Sequence, residues 1–456
     1  MRKEGFLTII LYVLMVLLCV GLGVFVYMNI RANQDQAKEI ADQAEQLAQE
    51  QALAAETPTP APTPTPVRNT ETTTLAFCGD FVGQEGLISD AQKSEGTTSP
   101  NPNSATYDFS PLFSHVKSAL TGVNFASCTL DGVMTDSAET EAYCCPLALA
   151  SSLKDTGFSL VNTATDNSMI SGLDGVTKTL SALDAAGLAH TGTYNSKENH
   201  DANSGVQFMT INGLNVAFLS YTYGTNGVSV ADNSWCVNIL TTDYMTDQTK
   251  VDYDRISADL TAAKNGGADL VVCYVYWWDD TQYYTSPKSE QQDVVDYLCK
   301  NGVDIVIGGG VKTPQPIEIR QVDRGNGKTV NCAVCYSLGN LASCLSDMNT
   351  QLSAILYIDV KRDVDHGDVW ISNVRYKPIF MLSTDSYSDI SNPTFRYRIL
   401  TLQDALNDYA NGKSETDCLS KSVNSALTDG LKQLHNIMGA DYDESTGGAS
   451  LDPPAI

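Results

Sequence analysis

The sequence has little positive charge and few histidines for its length. Its 456 residues contain 28 Lys and Arg against 54 Asp and Glu, so the formal net charge is −26, and there are only 5 His. Nucleic-acid binding requires a basic surface that neutralises phosphates, which excludes nucleic acid as a partner. An acidic exterior also repels polyanions, so a polyanionic ligand would need a local basic or metal-containing site.

The sequence also lacks the cysteine spacing of a zinc site. None of the 12 cysteines form two CxxC pairs at zinc spacing, and the lone CxxC of Cys332 and Cys335 lies in a strand-like apolar run. Free cysteines in such runs behave as small hydrophobic residues. The adjacent Cys144 and Cys145 are the better disulfide candidates for a protein outside the cell.

Charge is absent from one long apolar run near the N-terminus. Residues 5–30 contain no charged side chain, and about 20 apolar residues suffice to span a bilayer. Arg2 and Lys3 precede the run, whereas the chain after Arg31 is polar and acidic, so the N-terminus should stay cytoplasmic. The alternative is a cleaved signal peptide, but no small-residue cleavage site follows Ile30. The run predicts a single-pass membrane anchor with the main domain extracytoplasmic.

Composition divides the chain into four segments. Residues 1–31 form the cytoplasmic tip and anchor, and 32–71 form a stalk of helix-favouring Ala, Gln and Glu followed by the sequence TPTPAPTPTP. Alternating Thr and Pro produces an extended, semi-rigid spacer. Residues 72–400 form the main domain, and 401–456 form a tail with one or two helices and a loose end.

Strand-like and helix-like patterns alternate after the spacer, which is typical of an α/β domain. Asn212-Gly213 between two apolar runs predicts a hairpin. Helices are expected near 253–265 and 289–301, and an antiparallel meander over roughly 330–380. The predicted fold class is α/β, a layered sandwich of mixed β-sheets flanked by helices.

Several loop motifs between residues 73 and 345 follow one another in an order that is more specific than any of them alone. They are Gly79-Asp80 at a strand end, NTATDNSMISGLDGVTKTLSALDAAGLAHTGTY, an ING hairpin followed by YTYG, VDIVIGGG, Gln315-Pro316-Ile317-Glu318 and YSLGN ending at Asn340. This order resembles the bacterial CapA family, named for poly-γ-glutamate capsule production. That family is similar to the calcineurin-like metallophosphatases, so the resemblance implies their fold and a role in envelope-polymer synthesis.

The resemblance also implies a cluster of His, Asp and Asn at the strand ends, where two cations stabilise a transferring phosphoryl group. No histidine stands at the matching turns of this sequence. The family's Asn-Leu-Glu aligns with Ser127-Cys128-Thr129, its Ala-Asn-Asn-His with Ala164-Thr165-Asp166-Asn167 and the Asp that follows with Ile170, its His-Trp-Gly with Tyr276-Trp277-Trp278, and its histidine-rich turn with Gly308-Gly309-Gly310-Val311-Lys312-Thr313.

The polar residues that remain at these turns are Asp80, Asp166, Asn167 and Asn340. Asp80, Asp166 and Asn167 are weak catalytic candidates, and together the four could hold one hard cation such as Mg²⁺ or Ca²⁺. The structural interpretation is that Gly-Asp forms a turn and that Asp166 and Asn167 cap the next helix. The expected cofactor is therefore none, or one divalent cation at Asp80.

An aromatic and acidic cluster is the second candidate site. Trp277, Trp278 and Asp279 follow a strand at the rim where α/β sheets bind ligands, and exposed aromatic rings there suit sugar or peptide stacking. The alternative is that the Trp pair packs under the loop. Lys312 follows three glycines whose N–H groups could meet an anion, and Asn340 lies at a further strand end. Asp131, Asp136, Glu139 and Glu141 are interpreted as a solvated loop.

These features predict a membrane-anchored, extracytoplasmic protein associated with the synthesis of a capsule or exopolysaccharide polymer. The missing ligands favour a non-catalytic binding or scaffolding role, a pseudoenzyme whose partners are the polymer or the proteins that synthesise it. One alternative is a metal-dependent hydrolase or transferase that uses the reduced Asp/Asn site. The other is a cell-surface module that binds glycans or peptides.

Overall fold

The structure of the protein is a computed structural model that describes residues 4–56, 68–93, 106–136, 142–202, 204–277, 283–325, 329–391, 393–413 and 418–453. The Thr-Pro spacer at 57–66 and the candidate residues Trp278 and Asp279 lie outside the described residues. The chain divides into two compact units, Met1–Val67 and Arg68–Ile456.

The first unit contains one long helix, α1 (Glu4–Glu56), which continues from the apolar run into the predicted stalk. A stretch of 20 residues, Met15–Gln34, has a mean hydropathy of 1.9. By length and composition this stretch could cross a membrane. A signal sequence near an N-terminus passes the same test, so the anchor stays a prediction.

The second unit alternates helices and strands along most of its length. Its helices are α2 (Glu85–Ala91), α3 (Ser110–Ala119), α4 (Ala148–Thr156), α5 (Gly172–Ala186), α6 (Lys197–Ala202), α7 (Tyr253–Asn265), α8 (Ser289–Asn301), α9 (Met348–Gln351), α10 (Leu402–Ala410) and α11 (Lys421–Leu434). Its strands are β1 (Thr70–Val82), β2 (Gln92–Lys93), β3 (Thr106–Tyr107), β4 (Phe125–Asp131), β5 (Val133–Thr135), β6 (Cys144–Pro146), β7 (Leu160–Asn162), β8 (Ala189–Thr191), β9 (Gln207–Ile211), β10 (Leu214–Thr222), β11 (Thr241–Asp243), β12 (Asp247–Val251), β13 (Leu270–Tyr276), β14 (Ile305–Gly309), β15 (Ile317–Asp323), β16 (Thr329–Cys335), β17 (Asn340–Ala342), β18 (Leu352–Asp363), β19 (Val369–Ser383), β20 (Tyr397–Thr401) and β21 (Ala449–Ser450).

Most of these strands belong to two large mixed sheets. The nine-stranded sheet has the order β20-β19-β18-β1-β4-β7-β8, with β17 beside β1 and β21 beside β19. The six-stranded sheet has the order β15-β16-β14-β13-β10-β9. Strand β1 pairs parallel with β4 and antiparallel with β18, and β14 pairs parallel with both β13 and β16. The predicted mixed α/β sheets are confirmed.

Alternate residues of each sheet face different layers, as the two-residue period of a strand requires. In β1, Leu75 and Phe77 face a core between the two sheets, whereas Ala76 and Cys78 face α3, α4 and α5. Across the inter-sheet core the Phe125 and Phe218 rings stack with centroids 5.0 Å apart. The outer face of the second sheet packs against α7 and α8. The result is a helix–sheet–sheet–helix sandwich.

The locally encoded elements lie where the sequence predicts them. β9 and β10 form the hairpin, with φ of 48° at Asn212 and 82° at Gly213, which are the left-handed values of a tight hairpin turn. α7 and α8 span the predicted ranges. Of the predicted antiparallel meander, only β18 and β19 form such a pair. The rest of that prediction is wrong, because β16 lies in the other sheet, parallel to β14, and β17 is parallel to β1. In the tail, apolar residues of α10 and α11 join the inter-sheet core, and β21 pairs with β19.

The cysteines are structural in this fold. Cys144 and Cys145 are buried and neither forms a disulfide, so the disulfide predicted at this pair is wrong in this structure. Cys332 faces the outer core and Cys335 the inter-sheet core. Because they are three positions apart in a strand, they lie on opposite faces of β16 and do not form a dithiol.

Candidate functional site

The Gly-Asp motif ends the straight part of β1 and brings it against β17. Asp80 N–H donates to the Gly339 carbonyl at 3.1 Å, and Asp80 lies opposite Asn340 in the parallel register. A Cβ atom on Gly79 would lie 1.9 Å from the same Gly339 oxygen. Glycine is therefore required here because the two backbones approach too closely for any side chain.

Asp80 is 2% exposed and is held from the turn after β14. Its Oδ2 accepts the Gly310 N–H at 2.7 Å. A Cβ atom on Gly309 would lie 2.5 Å from Asp80 Oδ1, so the glycine-rich turn makes room for the carboxylate. Among the described residues, Asp80 Oδ1 has no hydrogen-bond partner.

A second carboxylate, Asp131, ends β4 on the neighbouring strand. In the parallel register Asp80 lies opposite Thr129, and Asp131 lies opposite Val82. Asp131 is 1% exposed, and its Oδ1 accepts from Asn167 Nδ2 at 2.9 Å. The interpretation of Asp131 as part of a solvated loop is therefore wrong.

Asp131 is the acid that ends β4, and the aligned segment Ser127-Cys128-Thr129 contains no acid. Ser127, which was aligned with the family's Asn, is buried and its hydroxyl lies 2.7 Å from the Tyr274 hydroxyl inside the sandwich. The acid at the strand end is Asp131, two residues beyond the aligned Thr129. The position of an acid at the end of an apolar run, rather than an exact sequence match, is the signal that could have identified it.

The loop between β7 and α5 supplies the side-chain amide of Asn167 that donates to Asp131. Asn167 is 2% exposed; its Nδ2 also donates to Asp166 Oδ1 at 2.9 Å, and its Oδ1 accepts from Asn226 at 3.0 Å. Helix α5 begins at Gly172 with Ser171 as its N-cap. The prediction that Asp166 and Asn167 cap this helix is therefore wrong. The Asn167 side chain donates to the carboxylates of Asp131 and Asp166 instead.

Tyr276 and Lys312 stand at two of the turns where the resemblance implies histidine. Tyr276, at the end of β13, is 2% exposed. Burial is the largest cause of the raised pKa of its phenol, and the charges of Asp131, Asp166 and Asp80 add to it. Lys312 follows the glycine-rich turn with a left-handed φ of 65° and is half-buried.

We use the name strand-end cluster for one set of residues that follow neighbouring strands. The set is Asp80, Asp131, Asn167, Tyr276, Lys312 and Asn340. Asn340, 1% exposed, donates from Nδ2 to Ser343 Oγ at 3.1 Å. Of the predicted polar candidates, the structure brings Asp80, Asn167, Lys312 and Asn340 to this one end of the sheets, with Asp166 bonded to Asn167.

Trp277 does not form an exposed stacking surface. Its side chain is 0% exposed, and its Nε1 donates to the Tyr336 carbonyl at 2.8 Å. The expectation of an exposed ring is therefore wrong, because the ring packs among the residues between the second sheet and α8.

Both carboxylates of the cluster, Asp80 and Asp131, have raised pKa values because they are buried. Burial raises the pKa of Asp80 to about 7; the Gly310 N–H opposes this, the Asp131 charge adds to it, and Lys312 opposes it. Burial also raises the pKa of Asp131, and the Asn167 amide, the Tyr276 phenol, the Lys312 charge and the Thr165 hydroxyl oppose that rise. Removing two close carboxylates from water favours their protonated forms unless positive charge compensates.

We expect stability to fall as pH rises because of Asp80. Its folded-state pKa of about 7 lies above the ordinary 3.8, so between these values the native state binds more protons than the unfolded state. This contribution is complete below about pH 4 and is lost as pH rises through about 7. Urea unfolding at several pH values should therefore show a shallower pH dependence of the free energy of unfolding, and higher stability at pH 8, for Asp80→Asn than for wild type.

The control is Asp155→Asn, at an exposed position of α4, which should change neither quantity. An unchanged pH dependence for Asp80→Asn would contradict the prediction.

The cluster does not fit the two-metal centre that the resemblance implies. Within the described residues, no group of three or more His, Cys, Asp or Glu side chains could hold a metal ion. Four histidines contact aspartates elsewhere, in the pairs His190–Asp184, His200–Asp201, His366–Asp363 and His435–Asp443. The donors left over are oxygens, since Asp80 Oδ1, Asp131 Oδ2, Thr165 Oγ1 and Asn340 Oδ1 are buried without hydrogen-bond partners in the described part of the chain. Oxygen donors suit one hard cation rather than a pair of transition metals.

The chain is similar to capsule-synthesis proteins over the region that carries the cluster. The sequence profile of the family described as bacterial capsule synthesis protein PGA_cap matches residues 74–344. The PGA biosynthesis protein CapA of Bacillus subtilis (strain 168) is 25% identical over 211 residues, which are 46% of this chain and 49% of that protein. The capsule biosynthesis protein CapA of Bacillus anthracis is 23% identical over 207 residues, 45% of this chain and 44% of that protein. The chain thus spans about half the length of the curated relatives it matches.

Solved structures show only a distant likeness. A crystal structure described as a novel phosphatase from Mycoplasma pneumoniae covers 68% of this chain and 94% of its own, with a TM-score of 0.39 and 12% identity. A TM-score this low supports no argument about activity. The profile match extends from β1 to just past β17 and covers more than half of the chain. The chain therefore belongs to the bacterial capsule synthesis protein PGA_cap family.

Proposed function

We propose that this protein takes part in the synthesis of a capsule-type envelope polymer as a non-catalytic binding or scaffolding member of its family. Its partners in this proposal are the polymer, of the poly-γ-glutamate type, or the proteins that make it. The names of its relatives, a PGA biosynthesis protein and a capsule biosynthesis protein, support the process but leave the role of this chain open.

One observation supports the non-catalytic role above the others. Metal-dependent phosphoryl chemistry needs cations that bridge the nucleophile and the transferring group. In the strand-end cluster, Asp131 Oδ1 instead accepts from Asn167, and Asp80 Oδ2 accepts from Gly310. The positive charge of Lys312 also opposes the raised pKa of both carboxylates. The acids are thus engaged by the protein's own donors.

The proposal places the second unit outside the membrane. The stretch Met15–Gln34 is long and apolar enough to cross a bilayer, and Arg2 and Lys3 precede the apolar run. Positive residues stay on the cytoplasmic side, so the acidic second unit would face the extracytoplasmic side where an envelope polymer is assembled. Labelling of an introduced cysteine at exposed Asp155 by a membrane-impermeant maleimide in intact cells would test this orientation.

The role is tested by separating polymer production from turnover. We expect that deleting the gene lowers the surface polymer of the producing cell, and that the Asp80→Ala variant restores it as fully as wild type at equal protein level. Purified full-length protein in detergent should hydrolyse bis-p-nitrophenyl phosphate with Mn²⁺, Mg²⁺ or Ca²⁺ no faster than Asp80→Ala does. Failure of Asp80→Ala to restore the polymer, together with a metal-dependent activity that this variant loses, would overturn the proposal.

The unpartnered oxygens of the cluster favour a second candidate, a hydrolase or transferase that acts on the polymer with one hard cation. Asp80 Oδ1, Asp131 Oδ2 and Asn340 Oδ1 would hold the ion, and the ion would polarise the substrate oxygen. Stoichiometric Mg²⁺, Mn²⁺ or Ca²⁺ binding by wild type in calorimetry, lost in Asp80→Ala, would favour this candidate. A glycan- or peptide-binding module based on Trp277 has lost its support, because that ring is buried.

A further inference from the structure

We propose that α1 is the dimerisation element of this protein, and that two copies of the chain associate in parallel through one uncharged stripe that runs from the apolar stretch into the stalk. The partner is therefore a second copy of this chain. The inference goes beyond the proposed function, because it concerns the first unit and holds whether or not the second unit has catalytic activity.

The first observation is the spacing of residues in the stalk. Helix α1 continues without a break to Glu56, and after the apolar run it contains one set of residues separated alternately by four and three positions. The set is Asn33, Ala37, Ile40, Ala44 and Leu47. This spacing is the heptad repeat of a coiled coil, whose a and d positions meet a partner helix.

The second observation is that the charged residues of the stalk avoid this set. With Ala37 at an a position and Ile40 at a d position, all six charged residues between positions 31 and 47 fall at b, c or f positions, which face away from a partner helix. They are Arg31, Asp35, Lys38, Glu39, Asp42 and Glu45. A helix with water on every side would gain nothing from keeping one face free of charge.

The third observation is that the same spacing continues back into the apolar run. The residues that continue it are Ile30, Val26, Gly23 and Cys19, and we call the nine residues from Cys19 to Leu47 at this spacing the heptad seam. A Cβ atom added to Gly23 would meet nothing within 4 Å, so packing within the chain does not require glycine there. Glycine inside a helix is destabilising relative to alanine, whereas small residues between membrane helices allow the two backbones to approach closely.

The fourth step is the identity of the partner. Within the described residues of the first unit, α1 is the one helix or strand, so no other element of that unit covers the heptad seam. A heptad seam is self-complementary, because in a parallel dimer the a residues of one helix pack against the a residues of the other, and d against d. Copies anchored through the same apolar run would enter the membrane in the same direction, which favours this parallel arrangement.

Cysteine cross-linking in membranes tests the heptad seam and its direction. Ile40→Cys, at a d position, and Asp42→Cys, at an f position, are each made in full-length protein that carries Cys19→Ser. A disulfide requires Cα atoms within about 7 Å of each other, and in a parallel dimer d positions meet while f positions lie on opposite outer faces. With copper-phenanthroline as oxidant, we expect Ile40→Cys to give a species of twice the chain mass, and Asp42→Cys to give no more of it than the Cys19→Ser parent.

Sedimentation in density-matched detergent provides a second measurement. The matched variants are Gly23→Leu, on the heptad seam, and Gly21→Leu, at an f position where an added Cβ also meets nothing within 4 Å. Wild type and Gly21→Leu should both sediment as dimers. Gly23→Leu should raise the Kd of the dimer about tenfold or more, because the larger side chain separates the two helices.

Three results would overturn the inference. They are equal cross-linking at positions 40 and 42, a cross-link from Ile40→Cys only to a protein of different mass, and equal effects of Gly21→Leu and Gly23→Leu on the Kd of the dimer. Leu47→Cys, at the next d position, is the second probe if Ile40→Cys destabilises the helix. None of these results bears on polymer production or metal-dependent turnover, so the two proposals fail separately.

Discussion

Replacing Gly79 with alanine is expected to lower the free energy of unfolding of the second unit by about 3 kcal/mol or more, the upper range of overpacking effects, and at the extreme to prevent folding. The new Cβ would lie 1.9 Å from the Gly339 carbonyl oxygen and 2.9 Å from its carbon. These are backbone atoms, so no rotamer change relieves the contact.

Neither strand has room to withdraw from this contact. Asp80 N–H donates to the same carbonyl, and Ser353 Oγ donates to the neighbouring Leu338 carbonyl at 2.7 Å. A shift of β1 would also move Asp80 away from Gly310. Guanidinium unfolding followed by circular dichroism measures the loss.

The control for this variant is Gly325→Ala. At Gly325 an added Cβ meets nothing within 4 Å, although φ is 82°, so its cost should be about 1 kcal/mol from backbone strain alone. Equal losses in the free energy of unfolding for the two variants would contradict the steric explanation of the Gly-Asp motif. The motif would then be interpreted as an ordinary turn, which the sequence also allows.

Truncating Trp277 to alanine is expected to cost about 3–5 kcal/mol, the range for large aromatic residues in a core. The ring is fully buried beneath the turn after β14, and its Nε1 is bonded to the Tyr336 carbonyl. Trp277→Phe keeps most of the packing but leaves that carbonyl unpaired, which should cost about 1–3 kcal/mol. Chemical unfolding of both variants measures the difference.

Tyr284→Ala is the matched control for this second prediction, because Tyr284 is 44% exposed and surface changes are usually worth about 0.5 kcal/mol or less. A small effect of Trp277→Ala would mean that the ring is not the packed element described above. The prediction also has a practical result: loss of ligand binding in Trp277→Ala would report unfolding, so binding by this region is better probed at Tyr284.

Sequence patterns predicted the parts of the fold that short segments encode. Apolar runs of about seven residues became β4, β13 and β16, and the Asn212-Gly213 dipeptide determined a hairpin because only left-handed backbone closes that turn. Amphipathic segments became α7 and α8 at the predicted bounds. Each of these depends on contacts between residues close in sequence.

The parts that sequence patterns missed depend on pairing between distant segments. Asp80 meets Asn340 only because β17 pairs with β1 across some 260 residues, and Asp131 reaches the cluster only through the β1–β4 register. The burial of Trp277 depends on Gly308, where a Cβ would lie 2.5 Å from the indole nitrogen. An aromatic pair followed by two acids resembles an exposed rim until that glycine and that strand are placed around it.

The central position of β1 has a mechanical consequence. The second unit begins at Arg68, and β1 starts two residues later, in the middle of the nine-stranded sheet rather than at its edge. It pairs with β18 from Thr70↔Asp363 to Phe77↔Leu356 and with β4 on its other side. A pull applied through the preceding chain would run along β1. It would load the perpendicular bonds to β18 and the slanted bonds to β4 together, in shear. A force from the preceding chain would therefore act on an internal strand of the unit instead of unzipping an edge strand.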